Sequence, residues 1–170
     1  MKVSPAEDPE GLDAASQSPL PYNRDFLKRS MLDMASIEGG CMCGAVRYEC
    51  GGDPLYMFNC HCRDCQRYSG SAYFAVLGVP RSALKVTGQV KFHEAKGDSG
   101  NILERGFCPN CGSWVCASSS AASDTMALLA ASLDDPSIFK PAMDIFASSA
   151  QPWDHMNPAL PKFPGMPPRE

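Results

Sequence analysis

The sequence predicts an all-β domain of antiparallel pairs that binds metal through its cysteines, and three observations carry the prediction. From Ile37 onward, short apolar runs alternate with Gly, Pro, Asp and Ser, the pattern of strands joined by turns. Glycine and proline make up 29 of the 170 residues, a turn-rich usage that suits a β protein better than a helical bundle. Seven of the nine cysteines fall in three tight groups. Chance clustering explains that poorly.

The strands follow in chain order. Expected strands occupy 45–49, 55–58, 73–79, 84–87, 90–94, 102–107, 114–117, 126–132 and 142–147, paired antiparallel, with one helix at 63–68. No repeat of 20 to 50 residues is visible, so solenoids and propellers are excluded. Ahead of this domain, expected at 37–168, residues 1–36 hold no cysteine and four prolines (Pro5, Pro9, Pro19, Pro21). That tail is expected to be largely disordered, apart from a short helix carrying Phe26, Leu27, Met31 and Met34 behind a cap at Asn23. Residues 152–168 carry six prolines and read as an extended arm, with Trp153 and Phe163 as its anchors.

Composition narrows the function. Fifteen basic against nineteen acidic residues leave a net charge of -4, and no Lys/Arg run exceeds two. Nucleic acid is therefore not an expected partner. No stretch approaches the roughly 18 apolar residues of a membrane helix, and residues 1–20 lack the apolar core of a signal peptide. The expectation is a cytoplasmic protein without a membrane partner; oligomeric state is open. In a reducing compartment, an odd number of clustered cysteines points to metal rather than disulfides.

The groups are Cys41-x-Cys43, Cys60-x-Cys62-x-x-Cys65 and Cys108-x-x-Cys111. Thiolates two or three residues apart on a tight turn can share one soft cation at zinc–sulfur distances of about 2.3 Å. Gly39, Gly40, Gly44 and Gly112 stand where the backbone must turn sharply or come close to the sulfurs. A closed structural zinc takes four ligands, naturally one pair from each of two turns: Cys41, Cys43, Cys108 and Cys111. The middle group then offers Cys60, Cys62 and Cys65 alone, and three protein ligands with an open position mark a catalytic zinc. An eighth ligand from His61, Cys50 or Cys116 would instead close both sites. Cys50 and Cys116 read more simply as small buried hydrophobes. A redox role for Cys108-Pro-Asn-Cys111 is disfavoured, because a strand rather than a helix follows. The zinc deaminase strings H-x-E and P-C-x-x-C are absent.

These strings resemble those of the glutathione-dependent formaldehyde-activating enzymes, a family whose domain is shared with centromere protein V. The resemblance rests on Gly39-Gly-Cys-Met-Cys-Gly-Ala-Val-Arg-Tyr48, Cys60-His-Cys-Arg-Asp-Cys-Gln-Arg-Tyr-Ser-Gly-Ser-Ala72 and Phe107-Cys-Pro-Asn-Cys-Gly-Ser113. A weaker fourth string runs from Ser132 to Pro141, with Gln151-Pro-Trp153 beyond. The resemblance implies a zinc-centred, multi-sheet β-tent fold, two zinc ions per chain divided as above, and condensation of glutathione with formaldehyde to S-hydroxymethylglutathione, a carbon–sulfur lyase reaction. Many members place a His shortly after the Lys-Pro; here Asp144 stands in that region.

Three thiolates leave a zinc site at a formal charge of -1, which acidifies bound water less than a cationic site does. A substrate thiol is the better fourth ligand. Glutathione or another small thiol is thus the expected co-substrate, with an aldehyde as its partner. Arg67 is the candidate to assist catalysis, and Arg63, Gln66, Ser69 and Ser71 are candidates to hold the substrate. Arg47 and Arg105 are strand residues that could face the site, and His61 could transfer a proton or stay outside the chemistry. The alternative function is a zinc-stabilised, non-catalytic protein-interaction module; a thiol redox or metal-storage protein is a third reading.

Overall fold

The structure is a computed structural model that describes residues 36–168. The tail expected at 1–36, with its short helix, lies almost wholly outside the described residues. Ten strands and one α-helix make up the described fold: β1 (Ile37–Gly40), β2 (Arg47–Cys50), β3 (Tyr56–Cys60), α1 (Arg63–Ser69), β4 (Phe74–Pro80), β5 (Leu84–Thr87), β6 (Lys91–Lys96), β7 (Ile102–Phe107), β8 (Trp114–Ser119), β9 (Thr125–Leu129) and β10 (Asp144–Ile145). They form a three-stranded sheet, β1-β2-β5, and a seven-stranded sheet, β10-β3-β4-β9-β8-β7-β6. The expected all-β, multi-sheet class is what the chain adopts.

β4 shows why the core sits where it does. Leu77 and Val79 pack with Val46, Val115 and Leu128 in one buried cluster, whereas Phe74 and Val76 pack with Cys60 and Ile145 in another. Alternate side chains of a strand point to opposite faces, so a central strand buried on both sides reads as one continuous apolar run. Each such side chain, when fully buried, contributes roughly 1.5 to 3 kcal/mol. Cys50 and Cys116 belong to the first cluster and are 1% and 2% exposed, as expected of small hydrophobes.

Three details depart from the expectations. β1 was not expected as a strand, because Ile37-Glu-Gly-Gly has one apolar side chain. It pairs with β2 through Ile37↔Cys50 to Gly40↔Arg47, and a Cβ on Gly39 would meet the Tyr48 hydroxyl and the Ser132 carbonyl at 2.3 Å. Gly39 thus serves close packing on Tyr48 and not a turn. The run at 126–132 leaves the sheet at Leu129 and closes into a 3-10 turn over Ala130–Ser132. β10 pairs parallel with β3, through Asp144↔Asn59 and Ile145↔Cys60, against the antiparallel expectation. The C-terminal arm supports its other side, where Phe163 N–H donates to the Asp144 carbonyl at 2.9 Å. Phe163 packs against the second cluster and anchors the arm; Trp153 is 61% exposed and does not.

Candidate metal centres and the adjoining cavities

Two hairpin turns, one from each sheet, bring four thiols together. The β1–β2 turn carries Cys41 and Cys43, and the β7–β8 turn carries Cys108 and Cys111. In each, the residue after the second cysteine is a glycine at positive φ, +76° at Gly44 and +73° at Gly112, with open space around both. The requirement there is backbone conformation. Cys43 Sγ lies 3.5 Å from Cys41 Sγ and 3.8 Å from Cys108 Sγ, and all four sulfurs lie within 4.8 Å of one another. A tetrahedral zinc with bonds of about 2.3 Å spaces its sulfurs about 3.8 Å apart. The donor set therefore fits zinc.

The surroundings favour charge on Cys41 and Cys111, whereas burial pushes Cys108 up to about 11. Val46 N–H donates to Cys41 Sγ at 3.2 Å and Asn110 Nδ2 to Cys43 Sγ at 3.1 Å. Ser113, whose hydroxyl lies 3.3 Å from Cys111 Sγ, is the main cause that pulls that thiol down to about 5. The same hydroxyl accepts from Met42 N–H at 3.2 Å. It ties the two turns together.

The second group forms where β3 runs into α1. Cys60 closes β3, and Cys62 caps α1, its sulfur accepting the Cys65 N–H at 3.4 Å. The sulfurs of Cys60, Cys62 and Cys65 lie within 4.8 Å of one another, and among the described residues no His, Asp or Glu and no further Cys joins them. Three adjacent thiols cannot all ionise freely. Hydrogen bonds from Cys60, then from Cys65, pull Cys62 down to about 2, with a smaller contribution from the charge of Arg105. Cys60 is pushed up as the donor to both neighbours and by burial. Cys65 is stabilised as a thiolate by Cys60, but its donation to Cys62 and its burial outweigh this, and it rises to about 12.

His61 lies between two of these cysteines but faces elsewhere. It is 1% exposed; Nε2 is 3.3 Å from Asp144 Oδ1, and Nδ1 is 2.8 Å from Asp154 Oδ2, out of hydrogen-bond alignment. Asp144 is 1% exposed and also accepts from Asn59 Nδ2 at 2.9 Å. The imidazole therefore locks β3, β10 and the C-terminal arm together.

The candidate substrate residues divide. Gln66 is buried and donates through Nε2 to the His61 carbonyl at 2.6 Å and the Ser149 carbonyl at 3.0 Å, while its Oε1 accepts from Arg63. Its amide is committed inside the protein. Arg63 and Arg67 are exposed on α1. Ser69 and Ser71 line a cavity of about 640 Å³ together with Tyr73, Trp114, Arg47 and Asp134. Arg47 and Asp134 meet there as a bidentate ion pair, one arm at 2.9 Å. The cavity adjoins the three-thiol group: Ser69 Oγ donates to the Cys65 carbonyl at 2.8 Å, and Phe74, also in its lining, pairs with Cys60. A second cavity of about 500 Å³ is walled by Tyr68, Phe92, His93, Phe107, Trp114 and Lys91. Sequence reasoning missed Tyr68, Tyr73, Asp134 and Asp154. Tyr68 lay within the second string and Asp134 within the weak fourth, but neither was singled out as a site residue.

The sequence profile of the glutathione-dependent formaldehyde-activating enzyme family matches residues 36–149, from β1 through the turn after β10. The chain belongs to that family. A relative in this family, from Halomonas elongata and provisionally named a glutathione-dependent formaldehyde-activating enzyme, is 35% identical over 86 residues, which is 46% of this chain and 55% of the relative. The chain thus spans about half the length of the curated relative it matches. A crystal structure of a Rhodobacter sphaeroides protein is similar at 18% identity and a TM-score of 0.47, over 74% of this chain and 98% of that one. Among the described residues no helix is long and apolar enough to cross a membrane.

Proposed function

We propose that the protein is a zinc-dependent carbon–sulfur lyase acting on thiol adducts, in the simplest case joining glutathione and formaldehyde as S-hydroxymethylglutathione. Family membership supports the reaction, and one observation carries the mechanism: one thiol group gathers four sulfurs, the other only three. Cys41, Cys43, Cys108 and Cys111 would hold a structural zinc that joins the two sheets. Cys60, Cys62 and Cys65 would hold the catalytic zinc. When bound there, zinc supplies a soft Lewis acid suited to keeping a substrate sulfur deprotonated at neutral pH.

The chain's own residues supply position. The 640 Å³ cavity lies within the size range of small-molecule sites. Ser71 offers a hydroxyl to the thiol's peptide groups, Ser69 holds the loop through its bond to the Cys65 carbonyl, and Arg47 takes a substrate carboxylate by exchanging it for Asp134. Arg63 and Arg67 add positive charge on the open side of α1. Gln66 acts as a strut between α1 and the segment at Ser149. His61 is held by its two carboxylates and meets the Tyr73 ring at 5.2 Å and a 45° tilt, so its part is to support the cavity wall. The chemistry is one carbon–sulfur bond: the thiolate attacks the aldehyde carbon, the π pair moves to oxygen, and that oxygen takes a proton. The reverse step expels the thiolate.

Titration of the two-zinc protein with glutathione, with and without formaldehyde, tests the reading beside Cys62→Ser. Saturable thiol binding and adduct turnover, both abolished in Cys62→Ser, are expected. Binding unaffected by that substitution would support the interaction-module alternative.

A further inference from the structure

Lys91 and His93 on β6 share one face of the large sheet with Arg105 and Phe107 on β7. The antiparallel register sets Lys91 opposite Phe107 and His93 opposite Arg105, and directly opposed residues point the same way with Cβ atoms about 5 Å apart. Tyr68 of α1 lies against this face. The Arg105 guanidinium carbon is 3.9 Å from the centre of the Tyr68 ring, and the His93 ring is 5.9 Å from it. Trp114, paired with Phe107 across β7 and β8, meets Tyr68 edge-on at 5.1 Å and Phe107 at 5.3 Å. Three aromatic rings, Lys91 and His93 thus wall the cavity of about 500 Å³, a volume within the range of small-molecule sites.

The charge of this face has one sign. No Asp or Glu lines the cavity, and among the described residues Lys91, His93 and Arg105 make no ion pair. Glu94 and Glu104 are opposed to each other one position along, which puts both on the other face of the sheet, where Ser118 Oγ donates to Glu104 at 2.7 Å. Arg105 is 6% exposed, and its Nη1 is buried without a hydrogen-bond partner. Taking a cation out of water costs several kcal/mol unless it is paired, and a cation–π contact of about 0.5 to 2 kcal/mol does not offset that cost. Aromatic walls alone could hold a cation. Here Arg105 already covers the Tyr68 ring and Lys91 stands in the wall, so a further cation is repelled and an anion attracted.

We propose that this cavity is a second ligand site, separate from the thiol cavity, and that it takes a planar aromatic ring bearing an anionic group. The ring packs among Tyr68, Phe107 and Trp114; the anion meets Lys91 and His93 and lies in the field of Arg105. A carboxylate and a phosphate share this chemistry. Glutathione, which has no aromatic ring, does not. Trp114 also lines the 640 Å³ cavity, so an occupant here lies against a wall of the first cavity. No bond is made or broken at this site, and it stands whether or not the lyase reading does.

Calorimetric titration of the zinc-loaded full chain tests it with four probes: naphthoate and naphthyl phosphate, which carry ring and charge, naphthylmethanol, which carries the ring alone, and acetate, which carries the charge alone. At least one of the two ring anions should bind saturably at one site per chain, and the tighter of them names the anion. Naphthylmethanol and acetate should bind about tenfold more weakly or not at all. Lys91 is exposed, so its replacement spares the fold: Lys91→Gln should weaken the ring anion about tenfold, while Lys91→Arg stays within about threefold of wild type. Trp114→Leu should weaken it further, and Arg47→Gln, which alters only the first cavity, should leave it unchanged. Failure of both ring anions to bind, naphthylmethanol binding as tightly as they do, or full affinity in Lys91→Gln overturns the proposal. Equal weakening by Arg47→Gln and Lys91→Gln also overturns it, by placing the anion in the first cavity or in no single site.

Discussion

His61 Nε2 and Asp144 Oδ1 meet at 3.3 Å in the protein interior, each residue 1% exposed. Eighty-three positions apart in the chain, they sit on the adjacent parallel strands' ends, where β3 passes into the three-thiol turn. Asp144 also holds Asn59, and Asp154 covers the other ring nitrogen. Removing one member leaves the rest buried without partners. Asp144→Ala is expected to cost about 2 to 4 kcal/mol, and Asp144→Asn, which keeps an acceptor, clearly less. Urea unfolding of the zinc-loaded protein measures both; equal losses would show that the acceptor is immaterial.

Gly78 and Tyr56 make a second coupled pair. They face each other in the β3–β4 register, and a Cβ on Gly78 would lie 2.1 Å from the Tyr56 ring. The ring covers the glycine, so Gly78→Ala should destabilise by about 1 to 3 kcal/mol through overpacking. In a Tyr56→Leu background the same change should cost much less. A double-mutant cycle from denaturant midpoints tests this, and additive losses would refute the contact as its cause.

Much of this fold was legible where the signal is local. β5 and β7 lie at their expected bounds, 84–87 and 102–107, because Gly88 closes the first and the cysteine turn opening at Cys108 closes the second. The cysteine groups were legible for the same reason: ligand spacing on a turn is set within four residues. β1 was not, since Gly39 and Gly40 carry no pattern and are explained only by what packs on them, Tyr48 and Val46. The arm misled for a related reason. Trp153 is its largest apolar residue, yet its neighbour Asp154 is the one that docks, because the partner is His61. No periodicity in a proline-rich segment records such a contact.

Tyr48 predicts a pH dependence. Burial is the main cause that pushes its hydroxyl up to about 12, with Ser132 opposing, and the side chain is 3% exposed. The unfolded phenol titrates near 10. Between these values the unfolded chain has lost the proton that the folded chain keeps, so stability falls as pH rises. The contribution is fully present below about pH 10 and is lost by about pH 12, a change of about 2 to 3 kcal/mol. Tyr48→Phe should flatten that part of the curve. Denaturant midpoints from pH 9 to 12 are the measurement, and an unchanged slope in Tyr48→Phe would place the cause elsewhere.

The two thiol groups should differ in what their loss does to the fold. Cys43 belongs to the turn of the three-stranded sheet and Cys108 to that of the seven-stranded sheet, and their sulfurs are 3.8 Å apart. A metal held there closes the chain between turns that otherwise meet through apolar contacts and hydrogen bonds such as Met42 N–H to Ser113 Oγ. Structural zinc of this kind carries folding energy, about 10 to 16 kcal/mol in small zinc-finger peptides. Cys43→Ser is therefore expected to lower the metal content from about two ions per chain to one and to unfold the protein at markedly lower denaturant. Cys62→Ser removes a ligand that joins only β3 to the helix immediately after it. It should also leave about one ion, yet keep the unfolding midpoint near wild type while losing the response to thiol. Metal analysis and unfolding curves on the two variants check this together. If both substitutions unfold the protein alike, the three-thiol centre is structural as well, and its open position is not a site for chemistry.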